Sequence, residues 1–253
     1  MILNRIAARA NITLSRAVLQ FNPSRERFTC PLCDYEGVFL SVNREAGKRR
    51  NALCPRCRNV ERHRLQWLVV KKLQQERDFS KLRVLHIAPE YFISNLLKSI
   101  SASYLSADLY NERADCREDV TNMSFPDSSF DLVYCSHVLE HIKADRAAIS
   151  EIRRVLSPLG IAILPVPILA DTTVEYSEAN PHEAGHVRAP GMDYFDRLRQ
   201  AFQKVDLWSS ADFDPRYQLF LYEDRSHWPT PTMPNRPPSA GVKHLEYVPV
   251  CRV

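Results

Sequence analysis

Glycine is scarce in this chain: there are six in 253 residues, with none between Gly47 and Gly160. Turns in that stretch fall to Pro, Asn, Asp and Ser, and proline is correspondingly frequent at 17. A ligand loop there must do without the residue that best tolerates positive φ or a close backbone approach. Long apolar runs are lacking too. The longest, such as "IAILPVPILA" at 161–170, fall short of the roughly 20 residues that cross a bilayer, so no transmembrane segment is expected. The first 25 residues contain no acid, while Arg5, Arg9 and Arg16 alternate with apolar Ile2, Ile6, Leu14 and Val18. That pattern reads as a basic N-terminal helix or extension packed on the domain, residues 1–27. A transit peptide and an amphipathic surface helix are the other readings. With no secretion signal in view, the expected location is cytoplasmic.

What is present fits one main domain with a small accessory unit. The formal charge of +4 is unevenly spread. Residues 1–80 hold 16 Lys and Arg against 7 Asp and Glu, net +9; the remainder holds 18 against 23, net −5. A basic first third suits an anionic partner such as nucleic acid or a membrane surface, or simply a solvated charged face.

Two C-x2-C pairs, Cys30 and Cys33 in "CPLC" and Cys54 and Cys57 in "CPRC", lie 20 residues apart. A tight turn aims both thiolates of such a pair inward, and four thiolates suit Zn(II). The alternative is disulfides or unrelated core cysteines; Cys116, Cys135 and Cys251 form no pattern. With no histidine in the set and no open position, the expected zinc is structural, and residues 28–60 are expected to be a zinc ribbon. Lys48, Arg49, Arg50, Arg56, Arg58, Arg62 and Arg64 surround it, which would suit nucleic-acid phosphates; ribbons also serve as docking modules.

A linker helix is expected over 61–80, where Leu65, Leu68, Val69 and Leu73 share one stripe. From 81 the pattern alternates. "LRVLHIA", "SYLSADL", "FDLVYCSHV" and "IAILPVPI" read as strands; "YFISNLLKSI", "DRAAISEIRRVLS" and "MDYFDRLRQAF" read as helices. Interleaving of this kind predicts an α/β domain with a parallel sheet and helices on both faces. "YQLFLYED" reads as a closing strand ending that domain near 227, and 228–253 as a proline-rich tail.

In "LSADLY" Asp108 ends the second strand, 22 residues after His86, where an acid can accept ribose hydroxyls. "DVTNMSFPDSSFDLVYCSHVLEHI" and "RRVLSPLG" follow. Together these segments resemble the class I S-adenosylmethionine-dependent methyltransferases of the type 11-like group, which read D-x-x-x-L-P-F-x-D-x-S-F-D, then V-L-E-H, then R-V-L-x-P-G-G. The likeness covers roughly 81–225. The cysteine pairs followed by "ERHR" and "LHIAPE" resemble, more narrowly, a bacterial group carrying a zinc ribbon on this class. The resemblance implies a Rossmann-like seven-stranded sheet with a reversed last strand, which "YQLFLYED" would supply.

It further implies S-adenosylmethionine as cofactor, with Asp108 on the ribose, Asp119 and the backbone of Val120 at the adenine edge, and residues 86–90 toward the methionine end. Family members carry an acid where this chain has His86, and glycines where it has Ala88, Glu90 and Phe92. S-adenosylmethionine has no pyrophosphate, so the demand for glycine is weaker than in a dinucleotide site. Ala88 adds one methyl group, Pro89 suits a first helical position, and Glu90 could pair with the ligand's ammonium; alternatively, Glu90 only complements the helix dipole. Ser136 and His137 follow the fourth strand, on the edge where such sheets bind ligands. His137 is a candidate general base, or a cap or cofactor contact, and His141 reads as structural. Alignment with the sulfonium methyl can suffice, so no base is required.

"HEAGH" at 182–186 matches the zinc-peptidase H-E-x-x-H, but it sits between Pro181 and Pro190 and contains Gly185, against the helix that motif needs. It reads as a loop, with His182, His186 and Arg188 available to an acceptor. The expectation is a methyltransferase with a structural zinc ribbon, acting on RNA, a small molecule or a glycan. Its rivals are a non-catalytic zinc-ribbon scaffold on a degenerate methyltransferase fold, and a zinc hydrolase using His182 and His186.

Overall fold

The computed structural model describes residues 12–14, 24–44 and 47–253, so the expected basic N-terminal helix lies almost wholly outside the described residues. Along the chain come β1 (Phe28–Cys30), β2 (Tyr35–Gly37), β3 (Leu40–Arg44), β4 (Gly47–Leu53), α1 (Glu61–Glu76), β5 (Arg83–Ile87), α2 (Tyr91–Ile100), β6 (Ser103–Asp108), β7 (Cys116–Arg117) and β8 (Phe130–Cys135). There follow α3 (Asp145–Val155), β9 (Leu156–Ile163), β10 (Val174–Asn180), β11 (His186–Ala189), α4 (Tyr194–Ala201), β12 (Lys204–Ser209), β13 (Leu221–Tyr222), β14 (Lys243–His244) and β15 (Tyr247–Arg252).

The chain parts into two compact units, and their boundaries correct the expected division at 227. One unit holds Met1–Lys71, Ser209–His227 and Pro238–Glu246; the other holds Lys72–Trp208, Trp228–Pro237 and Tyr247–Val253. The last 26 residues are therefore no tail, since they return to both units.

The larger unit is built on a seven-stranded sheet in the order β12-β15-β9-β8-β5-β6-β7. The pairs β5–β6, β5–β8, β6–β7 and β8–β9 are parallel, and β15 runs antiparallel to β9. This is the Rossmann-like methyltransferase order, with its single reversed strand one place in from the edge. That strand is "YVPVCR" and not "YQLFLYED"; the latter contributes only β13, which pairs with β14 in the other unit. Right-handed crossovers running outward from β5 in opposite directions place α2 on one face and α3 with α4 on the other. Leu85, Val133, Ile149, Ile152, Phe195 and Leu198 fill the core on the α3 and α4 side. The buried positions Ala148, Ile149, Ile152 and Val155 of α3 recur at the 3–4 spacing of one helical stripe.

The smaller unit consists of the hairpins β1–β2 and β3–β4, the start of α1 and the pair β13–β14. The basic segment "ERHR" is explained here. The Arg64 side chain is fully buried and spends its donors on backbone: Nη1 on Ala52 and Asn59 carbonyls (2.9 and 3.1 Å), Nη2 on Gln218 (2.6 Å) and Nε on Tyr217 (2.9 Å). Glu61, equally buried, pairs with Arg49 at 2.9 Å. These charges hold three chain segments together and are not offered to a phosphate.

Scarce glycine leaves a backbone trace. Asp34, Asn51, Arg58, Ala88, Ser128, His137, Ala184 and Gln218 all take positive φ. Each left-handed non-glycine residue costs roughly 1–2 kcal/mol, less for Asn and Asp, which bond locally. Two of the eight, Ala88 and His137, stand at the ligand edge of the sheet.

Candidate functional site

The four knuckle cysteines converge in the smaller unit. Each knuckle is a tight turn closed by a left-handed residue. Asp34 N donates to Cys30 O (2.9 Å) with φ +55°, and Arg58 N donates to Cys54 O (2.9 Å) with φ +64°. Cys30 Sγ lies 3.6 Å from Cys57 Sγ, and Cys33 Sγ lies 3.6 Å from Cys54 Sγ. All four sulfurs are within 4.8 Å of one another. Zn–S bonds of about 2.3 Å in a tetrahedron put sulfurs about 3.8 Å apart, so the donor set fits Zn(II) with little movement. Contact with Cys30 pushes the Cys33 thiol well up, because crowded sulfurs resist ionising together unless a cation lies among them.

The second site lies along the carboxyl edge of the parallel strands in the larger unit. The chain leaves β5 toward β6 on one side and returns to β8 on the other, so β5 and β8 flank the crevice where open α/β sheets take ligands. After β5, Ala88 adopts φ +50° and donates N–H to Ala107 O (2.9 Å). The glycine-type turn is thus made without glycine. Glu90 is the N-cap residue of α2 and its side chain makes no cap bond; the first-turn N–H groups of a helix have no intrahelical partner.

At the end of β6, Asp108 Oδ1 accepts from Tyr110 N and Asn111 N, both at 2.8 Å. This fixes the carboxylate at one end of a cleft of about 350 Å³ that runs along Leu109, Tyr110, Ala114 and Arg117. Asp115, taking Ser106 N (2.8 Å) and Ser106 Oγ (2.6 Å), ties the far side of that loop to β6. Asp119 is exposed, and Thr121 N (2.8 Å) and Oγ1 (2.7 Å) donate to it, which lowers its carboxyl below the usual range; Val120 beside it is buried. The segment that follows is held from α3. Arg154 donates to Phe125 O (2.7 Å) and Met123 O (3.0 Å) while pairing with Glu151, and that is the structural work of the "RRVL" segment.

His86 is placed otherwise than expected. Its side chain is fully buried, 2.9 Å from Tyr104 Oη and edge-on to Tyr134 at 4.9 Å, and burial pushes its imidazole down to about 4. Its ring packs within the sheet against Tyr104 and Tyr134. Arg188 is likewise no acceptor contact. It is 1% exposed and donates to the carbonyls of Leu139 (2.6 Å), Ile142 (2.7 Å) and Lys143 (3.2 Å) and to Glu175. Ser136 is buried at the end of β8. His137 follows in the left-handed region, with its N–H on Pro165 O (2.9 Å) and Nδ1 at 3.2 Å from Glu140 Oε1.

"HEAGH" forms no helix. His182 lies in a 3-10 turn over Pro181–Glu183 and is exposed, whereas His186 opens β11, so the two histidines do not share a face. Glu183, between them, is buried and bound to Tyr176 Oη (3.0 Å) and Arg236 (2.9 Å). The metal pair required of a zinc peptidase is not assembled. His186 instead meets His141, ring centroids 4.7 Å apart. Among the described residues no helix is long and apolar enough to cross a membrane.

Residues 96–164 match the family model described as a methyltransferase domain. A sterol 24-C-methyltransferase of Yarrowia lipolytica is 31% identical over 114 residues, 44% of this chain and 29% of that protein. An uncharacterised protein of Methanocaldococcus jannaschii is 33% identical over 106 residues, 39% of this chain and 45% of its own. The chain thus spans less than half the length of these curated relatives. Among solved structures, an S-adenosylmethionine-dependent methyltransferase from Mesorhizobium loti aligns over 75% of this chain and 98% of its own, with 13% identity and a TM-score of 0.48. The fold itself is identified by the strand order and the single reversed strand.

Proposed function

We propose that this chain is an S-adenosylmethionine-dependent methyltransferase whose smaller unit is held folded by one structural zinc ion on Cys30, Cys33, Cys54 and Cys57. The observation that carries the reading is the pairing of two features at the sheet's switch point: the left-handed Ala88 turn opening onto the first turn of α2, and Asp108 fixed beside its cleft at the end of the next strand. In this reading Asp108 receives the ribose hydroxyls, Asp119 and the Val120 backbone meet the adenine, and the N–H groups near Glu90 take the carboxylate end. Bound there, the cofactor supplies an electrophilic sulfonium methyl.

The chain's own residues orient the acceptor and exclude water around it, which can account for most of a methyl transfer. In this reading His137, just after β8, takes the acceptor's proton where one must leave. The ribbon cysteines contribute stability only, since four thiolates leave no open coordination position. The acceptor is RNA, a small molecule or a glycan. The basic residues Arg25, Lys48 and Arg50, which line one open cleft of the smaller unit, favour a phosphate-bearing one.

Calorimetric titration of the zinc-loaded protein with S-adenosylmethionine and S-adenosylhomocysteine tests the reading. Micromolar binding that disappears in Asp108→Ala is expected. Absence of binding to both ligands in the wild type would overturn it in favour of a scaffold built on a methyltransferase fold.

A further inference from the structure

Beyond the ribbon, one other group of donors in the described residues converges as metal ligands do. Glu140 and His141 lie in the 3-10 turn Leu139–His141 after β8, and His186 opens β11. A carboxylate oxygen and one ring nitrogen from each histidine all lie within 4.8 Å of one another. Ligands held at about 2.1 Å around one ion stand about 3.0 to 4.2 Å apart, so closure asks each side chain to move by about an ångström or less.

The chemistry of the site points the same way. The Glu140 side chain is 1% exposed, and neither carboxylate oxygen accepts a hydrogen bond; His137 Nδ1 stands 3.2 Å from Oε1 without forming one. His186 Nδ1 is also buried without a hydrogen-bond partner. A buried carboxylate whose nearest donor is one poorly aligned histidine is costly, and a cation at this point removes the cost. The backbone is fixed in advance. Arg188 binds the carbonyls of Leu139 and Ile142 on either side of the two ligands, and Arg188 sits on the same strand as His186. The side chains of His137 and His186 are 14% and 11% exposed, so the cluster borders solvent.

We propose that Glu140, His141 and His186 form a binding site for one divalent first-row transition metal ion, distinct from the cysteine site. Two imidazoles and one carboxylate suit Mn(II), Fe(II), Co(II) or Zn(II) and leave coordination positions for water or another oxygen donor. The sequence showed the parts separately: "HVLEH" within a family motif, and a peptidase-like "HEAGH" whose second histidine alone is used. The inference stands on these side chains and does not depend on methyl transfer.

The test uses full-length protein with zinc in the ribbon, titrated with Co(II) and followed by absorption and metal analysis. One further equivalent is expected, with d–d bands but no thiolate-to-cobalt charge-transfer band. Glu140→Gln and His186→Gln should each weaken that equivalent at least tenfold while one zinc per chain is retained. If either variant fails to fold, the other carries the test, and Co(II) should raise the unfolding temperature of the wild type and not of the surviving variant. A wild type that takes up no second equivalent at millimolar Co(II), or variants that bind it as the wild type does, would overturn the proposal.

Discussion

Replacing Arg188 by methionine keeps an unbranched apolar stem and removes the guanidinium with its donors and charge. In the folded chain those donors serve three backbone carbonyls and the Glu175 carboxylate, at 2.6 to 3.2 Å. Leu139 O keeps a second donor, Ile142 N at 3.3 Å, and Asp145, whose Oδ2 lies 3.6 Å from Arg188 Nη1, keeps Arg197 and Tyr194 Oη, at 2.6 and 2.8 Å. The carbonyls of Ile142 and Lys143 lose the guanidinium at a position only 1% exposed, where water enters poorly. A charge-assisted hydrogen bond contributes about 1.5–3 kcal/mol and an abandoned buried acceptor costs about 1–3 kcal/mol, so the loss should reach about 3–5 kcal/mol. Two units need not unfold together. The assay is therefore hydrogen exchange at the amides of 139–145 across a urea series, with global unfolding alongside. Arg197→Met, removing a residue whose side chain is 18% exposed, should cost clearly less. A loss below about 1 kcal/mol for Arg188→Met would refute the view that this guanidinium holds the turn after β8.

Other outcomes follow from the same structure. Ala88→Gly removes a left-handed penalty of roughly 1–2 kcal/mol and adds about 0.4–1 kcal/mol of unfolded-state entropy, so urea melts should show a net gain of about 0.5–1 kcal/mol. An unchanged or lower stability would show that the φ of +50° carries no strain. Cys54→Ser should abolish zinc retention and open residues 28–60 to protease while leaving the larger unit resistant; retained stoichiometric zinc would contradict the four-thiolate site. Burial lowers the His86 imidazole to about 4, against roughly 6.5 when unfolded. The unfolded chain therefore binds this proton first, and stability should fall as pH drops from about 6.5 to 4. His86→Gln should flatten that limb of a pH-dependent melt, and an unaltered limb would assign it to other groups.

Much of the fold was legible because its signals are local. The strands β5, β6 and β8 are bounded apolar runs, and α2, α3 and α4 carry apolar stripes at helical spacing; each is found where it was expected. Each knuckle needs only a four-residue turn, so the cysteine pairs could be read as a site before the fold was known. The closing strand could not. "YQLFLYED" has the better alternation, while "YVPVCR" contains Pro249, which usually argues against a strand. Here Pro249 precedes the paired residues Val250–Arg252 and contributes only its carbonyl, to Leu164 N at 3.3 Å. No local pattern tells that a chain leaves a sheet after β12, builds part of another unit and returns. The site shows the same division. Asp108 could be expected at a strand end from its distance along the chain, and it does close β6, whereas only the family resemblance singles out Asp119. His86 and Arg188 read as ligand-facing because they are polar, yet both are buried: Arg188 spends its donors on backbone carbonyls and Glu175, and His86 packs against Tyr104 and Tyr134.

The central claim is that S-adenosylmethionine sits at the carboxyl edge of β5 and β6, and hydrogen–deuterium exchange with and without S-adenosylhomocysteine tests it most directly. The account predicts protection in peptides covering 86–94, 106–112 and 119–121, absent in Asp108→Ala, with the cysteine knuckles unchanged. Saturating ligand that leaves those three segments unprotected, or that protects only the smaller unit, would contradict it.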